Sequence, residues 1–237
     1  MSKISLKEFD TVADTYDDGL KELLGFWGGD TDRFAEYKIQ LTRSIIKDNI
    51  KSIMDFGCGT GRSLWYMKKY FDIPEDALHG CDTSPKSIDV AKRVFPQAHF
   101  TVNSDIDSFK NNASSCDLIF LACVYHHIEP AYRKAWTDAM MEKLNHGGYI
   151  VVFEHNMSNP MTRNIVRKPE NELDHEEYML SHNELKSLLT EGYDDVRVFW
   201  DGYVLFSPIR FGWTTVFEKC LKWLPIGAQH CVVVKKG

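Results

Sequence analysis

Asp-Phe-Gly-Cys-Gly-Thr-Gly, residues 55–61, is the stretch of sequence that decides the fold. It follows a short apolar run, residues 52–56, that predicts a strand, and it precedes a helical pattern over residues 62–70. Glycine has no Cβ and tolerates positive φ, so a ligand can lie directly against the backbone of such a loop. The GxGxG spacing differs from the GxGxxG of nicotinamide-binding proteins and from phosphate-binding loops. The carboxylate of Asp55, two positions before Gly57, suits a cationic ligand; the alternative is a tight turn that merely needs glycine.

Strands and helices alternate on both sides of this loop. Apolar spacing of three and four predicts a helix over residues 33–48, and residues 84–94 open with an N-cap serine and a proline. Ser181 and Glu184 form a capping box before a further helix. This alternation indicates an α/β fold with a doubly wound, mostly parallel sheet, in which ligands bind at the carboxyl ends of the strands. The predicted strands are residues 52–56, 78–82, 99–103, 117–124, 149–153, 195–206 and 229–236, and another helix covers 132–144.

Two further carboxylates follow predicted strands. Asp82 ends the second strand, where a carboxylate can accept hydrogen bonds from both hydroxyls of a ribose. Its alternative role is to cap the helix that begins near Ser84. Asp105 follows the third strand and can accept from an exocyclic adenine amine while Ile106 covers the ring, although it can also be an ordinary loop aspartate. The sequence thus favours a nucleoside site beside the glycine loop.

Composition narrows the class of protein. The chain has 237 residues, of which 43% are hydrophobic and 26% charged, as in ordinary globular proteins, and its net charge is −6. The acidic balance disfavours a nucleic-acid partner. No run of 18 apolar residues predicts a transmembrane segment, and the polar N-terminus lacks the apolar core of a secretory signal, so a cytoplasmic location is expected. Six cysteines without a CxxC pair predict reduced thiols and no metal site.

The order of motifs resembles that of the class I S-adenosylmethionine-dependent methyltransferases. The motifs are DFGCGTG, CDTS, NSDID, DLIFLACVYHHI and LNHGGYIVVFEHN, and the resemblance is clear over about residues 50–156. It implies a Rossmann-like, seven-stranded sheet with an antiparallel last strand, S-adenosylmethionine as the cofactor, and a single methyltransferase domain over residues 1–237. Residues 1–48 would form an N-terminal helical cap over the cofactor.

The resemblance also assigns cofactor-binding residues. Gly57, Gly59 and Gly61 would pass under the cofactor, and Asp55 would lie near its methionine ammonium. Asp82 would take the ribose hydroxyls. Asp105 and Ile106 would lie at the adenine. Thr83, directly after the second strand, and Ala122, near the end of the fourth, are further assignments. In the cap, the assigned residues are Tyr16, Tyr37 and Lys38.

Histidines at the ligand-binding edge are the candidates for catalysis. His126 and His127 follow the fourth predicted strand, and His155 follows the fifth. Methyl transfer from a sulfonium depends mainly on alignment, but a hydroxyl acceptor also benefits from a general base, and histidine suits that task near neutral pH. Each of these histidines can alternatively only pack or hydrogen-bond. No compact ligand spacing supports a metal site.

The segment after the fifth strand is predicted to cover the acceptor. Asn159 and a following proline can start a helix that carries Arg163 and Arg167 on one face, which favours an anionic small-molecule acceptor. The alternative is a solvated charged helix. The run from Glu154 onward is similar to methyltransferases of surface-glycan and related secondary biosynthesis, with residues 157–180 as the acceptor-covering insertion. Asn156 is a further candidate substrate-binding residue.

Residues 203–227 form an aromatic arm whose role is open. It can pack between the last two strands, form an oligomer contact such as a homodimer, or meet a membrane surface. We therefore expect an S-adenosylmethionine-dependent O-methyltransferase of a phosphorylated or nucleotide-linked sugar or glycan precursor. The alternatives are N- or C-methylation of a lipid or quinone precursor, and a non-catalytic module that only binds the cofactor.

Overall fold

A computed structural model describes residues 31–168, 177–205 and 221–237. Helices and strands alternate through most of them, as predicted. The helices are α1 (Thr31–Ile45), α2 (Arg62–Phe71), α3 (Pro85–Val94), α4 (Ile106–Asn112), α5 (Pro130–Lys143), α6 (Pro160–Val166) and α7 (His182–Thr190). The strands are β1 (Ile53–Phe56), β2 (Leu78–Asp82), β3 (His99–Val102), β4 (Cys116–Ala122), β5 (Leu144–His155), β6 (Val196–Val204) and β7 (Gln229–Lys236).

The seven strands form one sheet in the order β3-β2-β1-β4-β5-β7-β6. Strands β1 to β5 run parallel to one another, whereas β7 runs antiparallel to both β5 and β6. The predicted Rossmann-like sheet with an antiparallel last strand is confirmed. The strand order reverses between β1 and β4, so their carboxyl ends open a crevice there.

Two apolar layers cover the two faces of the sheet. On one face, α4, α5 and α7 pack against β5 and β7 through residues that include Phe109, Trp136 and Leu185. On the other face, α1 and α2 pack against β4 and β5 through residues that include Ile39 and Leu64. The central strands are buried on both sides, which explains their nearly continuous apolar sequences.

Local signals placed several elements correctly. Ser84 caps α3 by accepting a hydrogen bond from the Ser87 amide, and both reciprocal bonds of the Ser181–Glu184 capping box are present at α7. Strand β5 differs from the predicted residues 149–153, because it begins at Leu144 and takes in Gly147 and Gly148. An irregularity in the β4–β5 pairing between Cys116 and Leu118 accommodates this early start.

Some predictions fall on residues that the structure does not describe. These are Tyr16, the cap before residue 31, residues 169–176 of the insertion and residues 206–220 of the arm. Among the helices in the described ranges, none has both the length and the apolar character needed to cross a membrane.

Candidate donor and acceptor site

The glycine loop turns sharply out of β1 with its backbone exposed to the crevice. Gly57, Gly59 and Gly61 all have positive φ, at 78°, 51° and 87°. A Cβ at Gly57 would lie 2.6 Å from Cγ2 of Val124, so the loop can approach that side chain only without one. A Cβ at Gly59 would meet no protein atom within 4 Å, which leaves its backbone open to a ligand.

Asp82 ties this loop to the end of β2. Its Oδ2 accepts a hydrogen bond from the Gly59 amide at 2.8 Å, and its Oδ1 accepts one from the Ser84 amide at 2.9 Å. Burial raises the pKa of Asp82, while these backbone bonds oppose the rise. Because Ser84 caps α3 with its own hydroxyl, the alternative of Asp82 as that cap does not hold. Asp82 and Thr83 both line the crevice.

Asp55 is a second buried acid beneath the loop. It is 3% exposed, and burial together with repulsion by Asp82 raises the pKa of its carboxyl to about 8, although the charge of Lys38 opposes the rise. The protein itself thus compensates little of the charge that Asp55 carries when ionised. Two carboxyls with raised pKa at one crevice favour a ligand that brings positive charge or hydrogen-bond donors.

Sequence reasoning missed Asn103, which lines the same crevice. Its Nδ2 donates to Thr101, but its Oδ1 is buried and has no hydrogen-bond partner among the described residues. An unpaired buried acceptor is costly, and a ligand donor would satisfy it. Asp105, which we expected at the adenine, caps α4: its Oδ1 accepts from the Ser108 amide and its Oδ2 from the Ser104 hydroxyl. The adenine role of Asp105 stays a prediction.

The other predicted cofactor residues that the structure describes are not among the residues that line this crevice. Lys38 points from α1 towards it, with Nζ 3.9 Å from Sγ of Cys123 and over the ring of Phe153. Tyr37 and Ala122 are half-buried and pack against the apolar layer beneath α1, and Ile106 packs against the opposite layer. The crevice is lined by Phe56, Gly57, Cys81, Asp82, Thr83, Asn103, Cys123, Val124, His127 and Ile128.

Glu154 organises the loop that follows β4, a role that the sequence did not reveal. It is 1% exposed; its Oε1 accepts from the amides of Val124 and Tyr125, and its Oε2 lies 2.6 Å from Nδ1 of His126. Burial alone would raise the pKa of Glu154, but His126 and these donors hold it at about 2. The signal in the sequence was a glutamate near the end of the apolar strand β5, together with the two histidines that follow the strand before it, β4.

The three predicted catalytic histidines come together at the carboxyl ends of β4 and β5. The ring of His126 lies 4.0 Å from that of His127 and 5.2 Å from that of His155. His126 is fully buried against Glu154, whereas His127 lines the crevice with its Nδ1 3.4 Å from Oε1 of Glu177. His155 hydrogen-bonds Cys123. Of the three, His127 is the histidine that lines the crevice.

The predicted substrate-binding residues have other partners in the structure. Asn156 is buried and donates to the carbonyls of Pro225 and Gly227, while Asn159 caps α6 and donates to Ile226. Arg163 lies in α6 and Arg167 at its C-cap, both exposed. Their contact with an acceptor stays a prediction.

The sequence of this chain is similar to those of known methyltransferases. Residues 54–150 match a family described as a methyltransferase domain. Over 108 residues the chain is 26% identical to the tRNA N(3)-methylcytidine methyltransferase Mettl2 of Drosophila melanogaster, a match that spans 43% of this chain and 33% of that protein. The chain thus spans about a third of the length of the curated relative it matches.

Solved structures resemble the whole fold. The plantazolicin methyltransferase BpumL, in complex with S-adenosylhomocysteine, has a TM-score of 0.64 at 20% identity, with 98% of this chain and 91% of that chain covered. A TehB-like S-adenosylmethionine-dependent methyltransferase from Corynebacterium glutamicum has a TM-score of 0.61 at 18% identity, with 95% and 98% covered. A putative methyltransferase of Haloferax volcanii, in complex with the activator Trm112, has a TM-score of 0.64 at 16% identity, with 97% of each chain covered. At these identities the likeness concerns the fold.

Proposed function

We propose that this chain, a class I methyltransferase that uses S-adenosylmethionine, methylates a hydroxyl of an anionic small molecule such as a phosphorylated or nucleotide-linked sugar. One observation carries the proposal. The glycine backbone at Gly57, the carboxylate of Asp82 and the imidazole of His127 line one crevice at the strand reversal, and the buried carboxyl of Asp55 lies close enough to Asp82 to be repelled by it. This arrangement offers a place for a cationic donor beside a group that can accept a proton.

The residues of the crevice fit the donor. Gly59 presents bare backbone, Asp82 presents carboxylate oxygens next to it, and Asn103 supplies a buried acceptor that the protein leaves unsatisfied. We assign the donor's ammonium to the side of Asp55 and its ribose to Asp82. S-adenosylmethionine supplies an activated methyl group when bound. The protein's part is to hold the acceptor in line with that group, since alignment lowers the barrier of a displacement strongly.

His127 is the residue that we assign to proton acceptance. His126 is committed to Glu154, so it positions the loop rather than touching an acceptor. Nδ1 of His127 lies 3.4 Å from Oε1 of Glu177, and the negative charge of that carboxylate stabilises the imidazolium that forms when the ring takes a proton from the acceptor. A base of this kind contributes about 10²–10⁴-fold to turnover. His155 lies next to this ring system and is the second candidate.

The acceptor class follows from charge. Arg163 and Arg167 stand on the segment that follows β5, beyond the end of the crevice strands. Guanidinium groups recognise phosphates and carboxylates, so an anionic acceptor fits them. Of the similar proteins named above, one is a tRNA methyltransferase and one is a plantazolicin methyltransferase, so both kinds of acceptor belong in the test.

A methyl-transfer assay tests the proposal. Tritiated donor is offered with a panel of phosphorylated and nucleotide-linked sugars, a tRNA and an azole peptide. We expect transfer to an anionic sugar, a fall of about 10²-fold or more in turnover for His127→Ala, and little change in S-adenosylhomocysteine affinity. His146→Ala serves as the matched control, because His146 is exposed and bonds the carbonyl of Gly237 far from the crevice. Transfer to tRNA or peptide alone would overturn the acceptor class, and undiminished turnover in His127→Ala would remove it as the base.

A further inference from the structure

One thiol in the crevice has surroundings that methyl transfer does not require. Cys123 directly follows β4, lines the crevice beside Gly57 and His127, and has a φ of 60°, which side-chain-bearing residues rarely adopt. Its backbone amide is fixed by the Phe153 carbonyl at 2.8 Å. The backbone that carries this thiol is therefore held in one place beside the crevice in which we place the methyl donor.

Hydrogen-bond donors and positive charge surround this sulfur. Nε2 of Gln229 lies 2.9 Å from Sγ, Nζ of Lys38 lies 3.9 Å away, and His155 donates to it. Burial alone would raise the pKa of the Cys123 thiol, but His155 and Lys38 outweigh burial and the repulsion of Glu154, so its pKa lies below the usual value. Donors and cations of this kind favour the reactive thiolate.

The other described cysteines provide the contrast. All four are buried, and burial is the first reason that the pKa of each lies above the usual value. They behave as small apolar residues. The four are Cys58, Cys81, Cys116 and Cys231.

A second observation points to what the thiol meets. Gln229 is 8% exposed, and its Oε1, attached to the same carbon as the nitrogen that reaches Sγ, is buried with no hydrogen-bond partner in the described part of the chain. That oxygen can only accept. A molecule at the sulfur that carries an O–H group would satisfy it, as would a hydroxyl formed on the sulfur itself.

We propose that Cys123 is a peroxide-sensitive site, at which oxidation to a sulfenic acid closes the donor pocket. The thiolate attacks the hydroxyl oxygen of a hydroperoxide: an S–O bond forms, the O–O bond breaks, the sulfur is oxidised by two electrons and the peroxide is reduced. The leaving hydroxide or alkoxide takes a proton from Lys38 or His155 and departs as water or an alcohol. The new S–O–H donates to Oε1 of Gln229. The added oxygen occupies space at the pocket, an effect that rests on the donor site proposed above.

Labelling of sulfenic acid tests the site. The full chain is treated with hydrogen peroxide in the presence of dimedone, and the labelled peptides are mapped by mass spectrometry. We expect Cys123 to be labelled at least about ten-fold faster than each of the four buried cysteines. Lys38→Met should slow the labelling several-fold, and Lys47→Met, which removes an exposed lysine that only reaches the Arg43 carbonyl, should not. Equal labelling of Cys123 and the four buried cysteines, or an unchanged rate in Lys38→Met, would overturn the proposal.

Calorimetry with S-adenosylhomocysteine tests the consequence for the pocket. We expect the bound compound to protect Cys123 from labelling, and peroxide to abolish binding in the parent chain but not in Cys123→Ser. Full oxidation of Cys123 with unchanged affinity would overturn the closure of the pocket. A chain that binds no S-adenosylhomocysteine before oxidation would contradict the proposed function, whereas the labelling ratio decides the reactivity of the thiol independently.

Discussion

Replacing Asp55 by asparagine should stabilise the ligand-free protein, and more so at higher pH. In the folded chain the pKa of this carboxyl is raised to about 8, first by burial and then by Asp82. In the unfolded chain the carboxyl has its ordinary value of 3.8. Between these two values the folded state holds a proton that the unfolded state has lost. A group of this kind stabilises the fold fully below pH 3.8, and its contribution is lost as pH rises towards 8.

The magnitude follows from the linkage between proton binding and folding. While the folded state holds one proton more than the unfolded state, the free energy of unfolding falls by about 1.4 kcal/mol per pH unit. From pH 5 to pH 8 the parent protein should therefore lose about 4 kcal/mol relative to Asp55→Asn, whose amide does not titrate. Partial solvation of the crevice makes this an upper estimate.

Chemical denaturation followed by far-UV circular dichroism measures the effect at pH 5, 6.5 and 8. The control is Asp107→Asn, which changes an exposed aspartate in the first turn of α4 and should keep the parent's pH dependence. A stability difference between parent and Asp55→Asn that stays constant over this range would refute the reasoning. So would an Asp55→Asn protein that is less stable than the parent at pH 8.

Two further variants test the loop and the buried pair. Gly59→Ala and Gly147→Ala both place a Cβ at positive φ where no protein atom lies within 4 Å, so each should lose about 1 kcal/mol of stability. Only Gly59→Ala should weaken S-adenosylhomocysteine binding in calorimetry, and equal affinities in both variants would argue against the donor site. Glu154→Gln should lower the free energy of unfolding by about 3 kcal/mol at pH 7, because the pKa of Glu154 is held near 2 against an ordinary 4.5. That loss is present above pH 4.5 and should shrink as pH falls through 2; a loss independent of pH in denaturation curves would contradict the role of its charge.

Local signals made the fold predictable. The Ser181–Glu184 capping box, the proline that opens α3 and the bounds of β2 depend on residues close in sequence, and the structure confirms them. The start of β5 at Leu144 was not predicted, since it depends on pairing with a strand almost thirty residues upstream. The two glycines lie in the irregular stretch between the Cys116–Leu144 and Leu118–Tyr149 pairs.

The site was predictable where one residue type at one strand end suffices. Asp82 and the loop glycines have little choice of position once the strand ends are known: Asp82 accepts from the Gly59 amide, and Asp82 and Gly57 line the crevice, while their contact with the cofactor stays a prediction. Asn103 and Glu154 escaped prediction because their roles depend on partners from other elements. The sequence around Asn103 does not show that its side-chain oxygen is left unpaired. The sequence around Glu154 does not show that its partner is His126, which follows the neighbouring strand β4.

The buried carboxyls of Asp55 and Glu154 differ in how far the protein compensates their charge. This difference distinguishes a carboxyl that supports the structure from one that is suited to bind a ligand. Asp55 and Glu154 are both almost wholly buried. At Asp55 burial dominates and raises the pKa to about 8, whereas at Glu154 the opposing interactions outweigh burial and lower the pKa to about 2. Glu154 receives two backbone amides and the imidazole of His126, so the protein compensates its charge completely. Asp55 lies near another acid, Asp82, and the charge of Lys38 lowers its pKa less than burial and Asp82 together raise it. A buried acid that the fold leaves uncompensated costs stability, and a cationic ligand at the glycine loop offsets that cost, because its positive charge lowers the pKa of the carboxyl and releases the proton.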